Sequence, residues 1–202
     1  MTPKTVVFDL GKVLVDFNYQ LVADRLSARS GRKYTLQDLL ENAPLLYKLE
    51  SGQITNEEFF AAVVKKSGYT GTFDQFKVDF GDIFTEIPEM TAFNAALQAH
   101  SIPTFVFSNT NRFAVDSIQR TFPFFKNFTA YIYSFEHKVM KPQSKIYEVV
   151  EKVSGFRGWD ILYIDDRPEN AAEGAAHGWQ TVVHRNPKQT LTIARDLGLP
   201  VA

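Results

Sequence analysis

The residues with the clearest potential for chemistry are carboxylates and a hydroxyl that end separate apolar stretches, together with one lysine. They are Asp9, Ser108 with Asn109, Lys141, and Asp165 with Asp166. Each has an ordinary explanation when taken alone, because Asp, Ser and Asn are common in turns and at helix N-termini. Taken together they predict one site, since neighbouring carboxylates need a cation and oxygen ligands suit Mg²⁺. A lysine and a hydroxyl beside them suit a phosphate group.

A parallel sheet is the arrangement that would bring these residues together. Apolar runs rich in β-branched and aromatic residues predict strands over 5–8, 102–107, 129–133, 161–164 and 179–183. Helix-length segments separate the strands, which favours a parallel sheet covered on both faces. The carboxyl ends of such strands share one edge, where ligands bind. The predicted fold class is therefore α/β, with a Rossmann-like parallel sheet and helices on both faces.

Residues 16–90 have a different pattern, in which strand signals disappear and helical ones replace them. Helices are predicted over 19–28, 35–42 and 73–80. A further helix begins at the capping box 55–58 and ends before Gly68. We expect 16–90 to be an inserted all-helical cap domain, with 1–15 and 91–202 forming the core domain.

Composition narrows the range of partners. The 202 residues carry 22 Lys and Arg against 23 Asp and Glu, so no basic field is available for nucleic acid or an anionic membrane. The chain has no cysteine, which excludes disulfides and thiolate sites. The first apolar run is short and is interrupted by Asp9, unlike a signal peptide or membrane span. We expect a cytoplasmic protein with a small-molecule partner, either monomeric or dimeric, and expect the aromatic cluster at 122–128 to be buried.

The motifs also resemble those of a known family. Asp9-Leu10-Gly11, Ser108-Asn109, Lys141-Pro142 and Asp165-Asp166, with Asn170 four residues later, occur in the order found in haloacid dehalogenase-like hydrolases with a helical cap. The resemblance covers essentially the whole chain. Within the superfamily, the stretches 8–11, 107–111 and Lys141-Pro142 look most like the bacterial α-D-glucose-1-phosphate phosphatases.

The resemblance implies a phosphatase and a role for each residue. Asp9 would be the nucleophile that forms an aspartyl-phosphate, and Lys141 would neutralise charge between it and the phosphoryl group. Ser108 and the following backbone amide, that of Asn109, would hold phosphate oxygens. Asp166 would bind Mg²⁺ with Asp9 and the backbone carbonyl of Gly11. Asp165 and Asn170 would either bind the metal directly or contact the residues that bind it.

One position departs from the pattern of the superfamily's phosphatases. Most of them have a second Asp two residues after the nucleophile, which protonates the leaving group, and this chain has Gly11 there. Loss of a general acid typically costs roughly 10²–10⁴-fold in rate. Lys12 and Asp16 are possible substitutes, whereas His137 is expected to be a solvated loop residue.

Two other functions stay open at this point. A haloacid dehalogenase also lacks the second Asp, but the resemblance implies uncharged serines where this chain has Asp165 and Asp166. A binding or scaffold protein could keep the phosphate site without turnover, which Gly11 and Lys12 leave possible. A phosphatase panel would separate these alternatives from a magnesium-dependent phosphatase of a small phosphorylated metabolite, possibly a sugar phosphate.

Overall fold

The computed structural model describes residues 1–201, so Ala202, the last residue of the predicted core domain, lies outside the described residues. The strands in this range are β1 (Thr5–Phe8), β2 (Val15–Phe17), β3 (Phe84–Glu86), β4 (Thr104–Ser108), β5 (Ala130–Tyr133), β6 (Ile161–Asp165) and β7 (Gln180–Val183). The α-helices are α1 (Tyr19–Ser30), α2 (Leu36–Leu40), α3 (Ala43–Glu50), α4 (Asn56–Ser67), α5 (Phe73–Gly81), α6 (Pro88–Ala99), α7 (Arg112–Thr121), α8 (Ser134–His137), α9 (Ser144–Ser154), α10 (Pro168–Ala176) and α11 (Pro187–Asp196).

Five strands form one parallel sheet in the order β5-β4-β1-β6-β7. The central strand β1 pairs on one side with β4 and on the other with β6, and Phe8 lies opposite both Val106 and Ile164. All of its residues are buried, as expected of a strand covered on both faces. The sheet therefore confirms the predicted α/β fold class.

Alternate residues of β1 point into two separate hydrophobic clusters, one on each face of the sheet. Val6 and Phe8 lie in a cluster with residues of α6, α7 and α11, whereas Val7 lies in a cluster with residues of α9. Phe125 and Phe128, from the aromatic stretch 122–128, are buried in the first of these clusters. Phe122 and Phe124 are partly buried against the same cluster, so the prediction that the aromatic residues of this stretch pack against the core is confirmed.

Helices α1 to α5 pack around a third hydrophobic cluster. Phe59 of α4 and Phe76 of α5 lie at its centre, and Phe113 of α7 reaches into it from the sheet side. Helix α4 begins at the predicted capping box, in which Thr55 and Glu58 bond reciprocally. The division into a cap domain of 16–90 and a core domain of 1–15 and 91–202 remains a prediction.

The structure differs from the prediction in two details of this region. Strands β2 and β3 pair antiparallel, with Phe17 opposite Phe84, where only helices were expected. Three-residue strands are too short to show an alternating pattern. Helix α3 was also missed, although Pro44 in its first turn is a known start signal. No helix in residues 1–201 has the combined length and apolar character needed to cross a membrane.

Candidate active site

Asp9 lies at the carboxyl end of β1, at the middle of the sheet edge. Its backbone amide donates to the carbonyl of Ile164, a 2.8 Å bond that extends the pairing of β1 with β6 by one residue. Its side-chain Oδ1 lies 2.9 Å from Nζ of Lys141. Asp9 is only 8% exposed, so the pairing of the carboxylate with a lysine occurs largely out of water.

Lys141 is held in position through both its backbone and its side chain. Asn109 accepts a 2.8 Å hydrogen bond from the Lys141 amide and donates a 3.0 Å bond to the Lys141 carbonyl. At the other end, Nζ donates to the carbonyl of Phe107 at 2.9 Å and to Oδ2 of Asp165 at 2.6 Å. The Asn109 side chain therefore positions Lys141, which leaves the Asn109 backbone amide for the predicted contact with phosphate.

Asp165, which is fully buried, accepts hydrogen bonds at both of its oxygens. Oδ1 accepts from the Arg167 amide at 2.8 Å and from Nδ2 of Asn170 at 3.0 Å. Oδ2 accepts from Lys141 and from the hydroxyl of Tyr163. Because these donors occupy both oxygens of the carboxylate, the geometry favours an indirect role for Asp165 and Asn170, in which they hold neighbouring residues in place, over direct binding of a metal ion.

Three carboxylates approach one another at this edge of the sheet. Oxygens of Asp9, Asp165 and Asp166 lie within 4.8 Å of one another. Asp166 is partly exposed and lines the same cavity as Asp9 and Gly11. The predicted ligands Asp9, Asp166 and Gly11 thus lie together on the open side of the cluster.

The ionisation of these groups reflects burial and mutual repulsion. Burial raises the pKa of Asp9 to about 7, against the lowering effect of Lys141. Burial, followed by the charge of Asp165, also raises the pKa of Asp166. Burial opposes the charged form of Lys141, but the two carboxylates beside it outweigh this effect and raise its pKa. The cluster therefore carries carboxylates for which a further positive charge would be favourable.

The loop after β4 forms another wall of the site. Ser108 is buried at the end of β4, and its hydroxyl makes only a long 3.4 Å contact with the carbonyl of Asn109. Asn111 caps helix α7 by accepting a 3.1 Å bond from the Ala114 amide. The positive end of the α7 dipole therefore faces the side on which an anion would bind.

These residues line a cavity of about 300 Å³ whose opposite wall comes from the helical region and the β2-β3 ribbon. That wall includes Phe17, Tyr19, Leu46 and Glu50. None of these residues was predicted from the sequence. Glu50 ends the helix that the sequence analysis missed, so only the Pro44 start signal could have drawn attention to it. The cavity has room for a small metabolite.

The position of the missing acid is covered by an aromatic ring. A Cβ atom at Gly11 would lie 3.0 Å from Cε1 of Phe17, and Gly11 itself does not have a positive φ. The two predicted substitutes, Lys12 and Asp16, form an ion pair with each other and are 45% and 53% exposed. His137 is exposed in α8 and does not line the cavity.

A family model for haloacid dehalogenase-like hydrolases matches residues 3–178, most of the described chain. The chain belongs to this family. The predicted superfamily is therefore confirmed, together with the prediction of an enzyme at the level of a hydrolase. The finer likeness to glucose-1-phosphate phosphatases remains a prediction.

Solved structures of other members of the family have the same architecture. A predicted HAD-like family hydrolase from Porphyromonas gingivalis is 25% identical, with a TM-score of 0.82 over 98% of each chain. A HAD family enzyme from Bacteroides thetaiotaomicron, in complex with magnesium and inorganic phosphate, is 21% identical, with a TM-score of 0.79 over 91% of this chain and 94% of its own. An L-2-haloacid dehalogenase from Xanthobacter autotrophicus is 18% identical, with a TM-score of 0.62 over 99% and 85% of the two chains.

Proposed function

We propose that this hydrolase is a Mg²⁺-dependent phosphatase that acts on a small phosphorylated metabolite through an aspartyl-phosphate intermediate. The observation that carries the proposal is the placement of Asp9 beside Lys141 at the floor of a cavity of about 300 Å³. A carboxylate nucleophile needs an adjacent positive charge to approach an anionic phosphate, and Lys141 supplies it.

The residues present fit a magnesium ion. Asp9 and Asp166 offer carboxylate oxygens on the open side of the cluster, and burial with mutual repulsion makes both carboxylates favourable partners for a cation. Asp9, Asp166 and the carbonyl of Gly11 would hold the ion. When bound, Mg²⁺ lowers the repulsion between the nucleophile and the phosphate dianion. The magnesium and phosphate bound to the Bacteroides enzyme support this proposal by analogy.

The other residues act on the phosphoryl group. Asp9 attacks phosphorus while Lys141 neutralises the charge that builds up between them. Ser108 and the backbone amide of Asn109 hold the phosphate oxygens that are not transferred. Asp165, fixed by Tyr163 and other donors, keeps Lys141 in place. Water then hydrolyses the aspartyl-phosphate and regenerates Asp9.

The proposed substrate is a small cytoplasmic metabolite, and a sugar phosphate such as glucose 1-phosphate is our first candidate. The cavity size suits such a molecule. Glycine at position 11 also favours substrates whose leaving oxygen carries negative charge well, as an anomeric oxygen does. The cluster of three carboxylates disfavours a dehalogenase. Three neighbouring carboxylates repel one another unless a cation is bound, and dehalogenases use no metal ion.

The first test changes the nucleophile. Asp9→Asn keeps the shape of the side chain but removes the attacking charge, so the release of 4-nitrophenol from 4-nitrophenyl phosphate should fall to background. The wild-type enzyme should lose the same activity in excess EDTA and regain it on addition of Mg²⁺. Circular dichroism and thermal unfolding check that the variant is folded.

Asp196→Asn is the matched control, because Asp196 is exposed near the end of α11 and away from the cavity. This variant should keep the wild-type rate. Full activity in EDTA would contradict the metal assignment. An Asp9→Asn variant with more than a few per cent of the wild-type rate would contradict the covalent role of Asp9.

A further inference from the structure

Glu50 is the one carboxylate that the helical region contributes to the cavity. It is the last residue of α3, and Leu46, one helical turn earlier, lines the cavity beside it. The i, i+4 spacing places both side chains on the same face of the helix. Glu50 therefore faces the sheet edge that carries Asp9 from the opposite wall of the cavity.

The backbone around Glu50 is attached to the core through a buried hydroxyl. Ser134, which is fully buried, donates a 2.6 Å hydrogen bond to the Glu50 carbonyl. The hydroxyl oxygen of Ser134 also accepts a 3.0 Å hydrogen bond from the backbone amide of Thr110, in the loop after β4. Gly52 follows in the left-handed region with φ of 65°, and a Cβ there would collide with the carbonyl oxygen of Phe135. The end of α3 is thus fixed against the loop that would hold phosphate.

The surroundings of the Glu50 carboxyl suit a group that exchanges a proton near neutral pH. Burial raises the pKa of Glu50 to about 7, against the lowering effect of the nearby Asn111 side chain and with a raising effect from Asp9. Asn111 lines the same cavity, and its Oδ1 accepts from the Ala114 amide. A general acid is most effective when its pKa is close to the working pH.

The other candidates for proton donor have unsuitable positions. Asp16 is paired with Lys12, is about half exposed and has a pKa lowered by that hydrogen bond, so it carries no proton to donate at neutral pH. The ammonium of Lys12 lies over the ring of Phe17, 4.5 Å from its centroid. That ring also covers the site where an acid at position 11 would begin.

We propose that Glu50 is the general acid and base of the reaction and replaces the carboxylate missing at position 11. This inference rests on the proposed phosphatase function. As Asp9 bonds to phosphorus and the bond from phosphorus to the leaving oxygen breaks, the Glu50 carboxyl gives its proton to that oxygen and an alcohol leaves. The Glu50 carboxylate then takes a proton from water as the water oxygen attacks phosphorus. The bond to Asp9 breaks, which yields phosphate and the free enzyme.

The test is Glu50→Gln, which keeps the shape of the side chain but cannot transfer a proton. The rate of the first step is measured as single-turnover release of the phenol, with Mg²⁺, from aryl phosphates whose phenols differ in acidity. We expect a loss of roughly 10²–10⁴-fold with the least acidic phenol and a much smaller loss with 4-nitrophenol. After a burst of 4-nitrophenol, steady turnover should be slow, because the second step also needs the base.

Two further readouts separate proton transfer from a structural role. The dissociation constant for inorganic phosphate should be unchanged in Glu50→Gln. Since Glu50 must carry its proton in the first step, the fall in the wild-type single-turnover rate as the pH rises through about 7 should disappear in this variant. Asp9, which must lose its proton to attack, gives a limb of the opposite sign. The other charged or ionisable side chains that line the cavity are Asp9, Lys12, Tyr19, Lys141, Asp166 and Arg167. Glu41→Gln is the control, since Glu41 is exposed in the same helical region and outside the cavity.

The outcomes distinguish the two proposals. If the wild-type enzyme releases no phenol in the presence of Mg²⁺, the phosphatase function is overturned and the role of Glu50 with it. If the wild-type enzyme is active and Glu50→Gln shows the same dependence on phenol acidity, only the role of Glu50 is overturned. A loss that is equal for all phenols and is accompanied by weaker phosphate binding would likewise assign Glu50 to structure and not to proton transfer.

Discussion

The two walls of the cavity differ in how their residues are held. On the sheet edge, Asp9, Lys141 and Asp165 are at most 8% exposed and are fixed by strand ends and several hydrogen bonds. On the opposite wall, Tyr19 and Glu50 are partly exposed and lie near the ends of helices. Under the proposed function, the sheet-edge wall carries the groups that act on the phosphoryl group of any ester. The opposite wall carries Glu50, whose proposed role depends on the acidity of the leaving alcohol or phenol.

The largest effect on the rate should come from a change on the sheet-edge wall. Lys141→Met keeps most of the side-chain volume and removes the charge beside Asp9. We expect the single-turnover rate to fall roughly 10²–10³-fold, by a similar factor for every aryl phosphate, because the lost charge acts on the phosphoryl group. Exposed Lys145→Ala is the control. If the loss of rate in Lys141→Met became larger with less acidic phenols, Lys141 would also act on the leaving oxygen, and the two walls would not differ in the proposed way.

An intermediate effect should come from moving the acid from one wall to the other. Gly11→Asp with Phe17→Leu, both placed in the Glu50→Gln variant, supplies a carboxylate beside Asp9 and makes space for it. We expect the rate with the least acidic phenol to recover by about tenfold, a part of what general acid catalysis provides. Gly11→Asp without Phe17→Leu should recover less, because its Cβ would lie 3.0 Å from the ring. No recovery in either variant would argue against a missing acid as the cause of the defect.

The smallest effect should come from inside the helical region, away from the cavity. The hydroxyl of Tyr69 donates a 2.7 Å hydrogen bond to Asp79, which also pairs with Arg29. Tyr69→Phe should lower the free energy of unfolding by about 1 kcal/mol, as measured by urea denaturation. The dependence of rate on phenol acidity should stay unchanged. Tyr47→Phe, at a residue that is 48% exposed, should alter neither quantity.

The same contrast explains what the sequence could predict. Asp9, Ser108 and Asp165 end strands whose apolar runs are visible locally, and parallel pairing alone brings strand ends to one edge. Glu50 ends an eight-residue helix, and its place in the cavity depends on contacts with Ser134, 84 positions away.

The β2-β3 ribbon could not be predicted either, because its two strands lie far apart in the sequence. Val15 pairs with Glu86, and three residues on each side give no periodic signal. The ring of Phe17 on that ribbon lies 3.0 Å from where a Cβ at position 11 would be, and only the folded chain brings the two together. The roles of Asp165 and Asn170, left open by the motifs, likewise depend on which donors reach each oxygen.

The hydroxyl of Ser134 links the two walls of the cavity. One oxygen atom bonds both to the carbonyl of Glu50 and to the amide of Thr110. Any movement that takes α3 away from the sheet edge to admit substrate or release product must break the first bond and leave that oxygen with altered partners at the loop after β4. The Ser134 hydroxyl thus ties the end of α3, which carries Glu50, to the loop after β4, where phosphate is proposed to bind. If Glu50 acts as proposed, an ester that reached Asp9 with the first bond broken would have no acid beside it to protonate its departing alcohol.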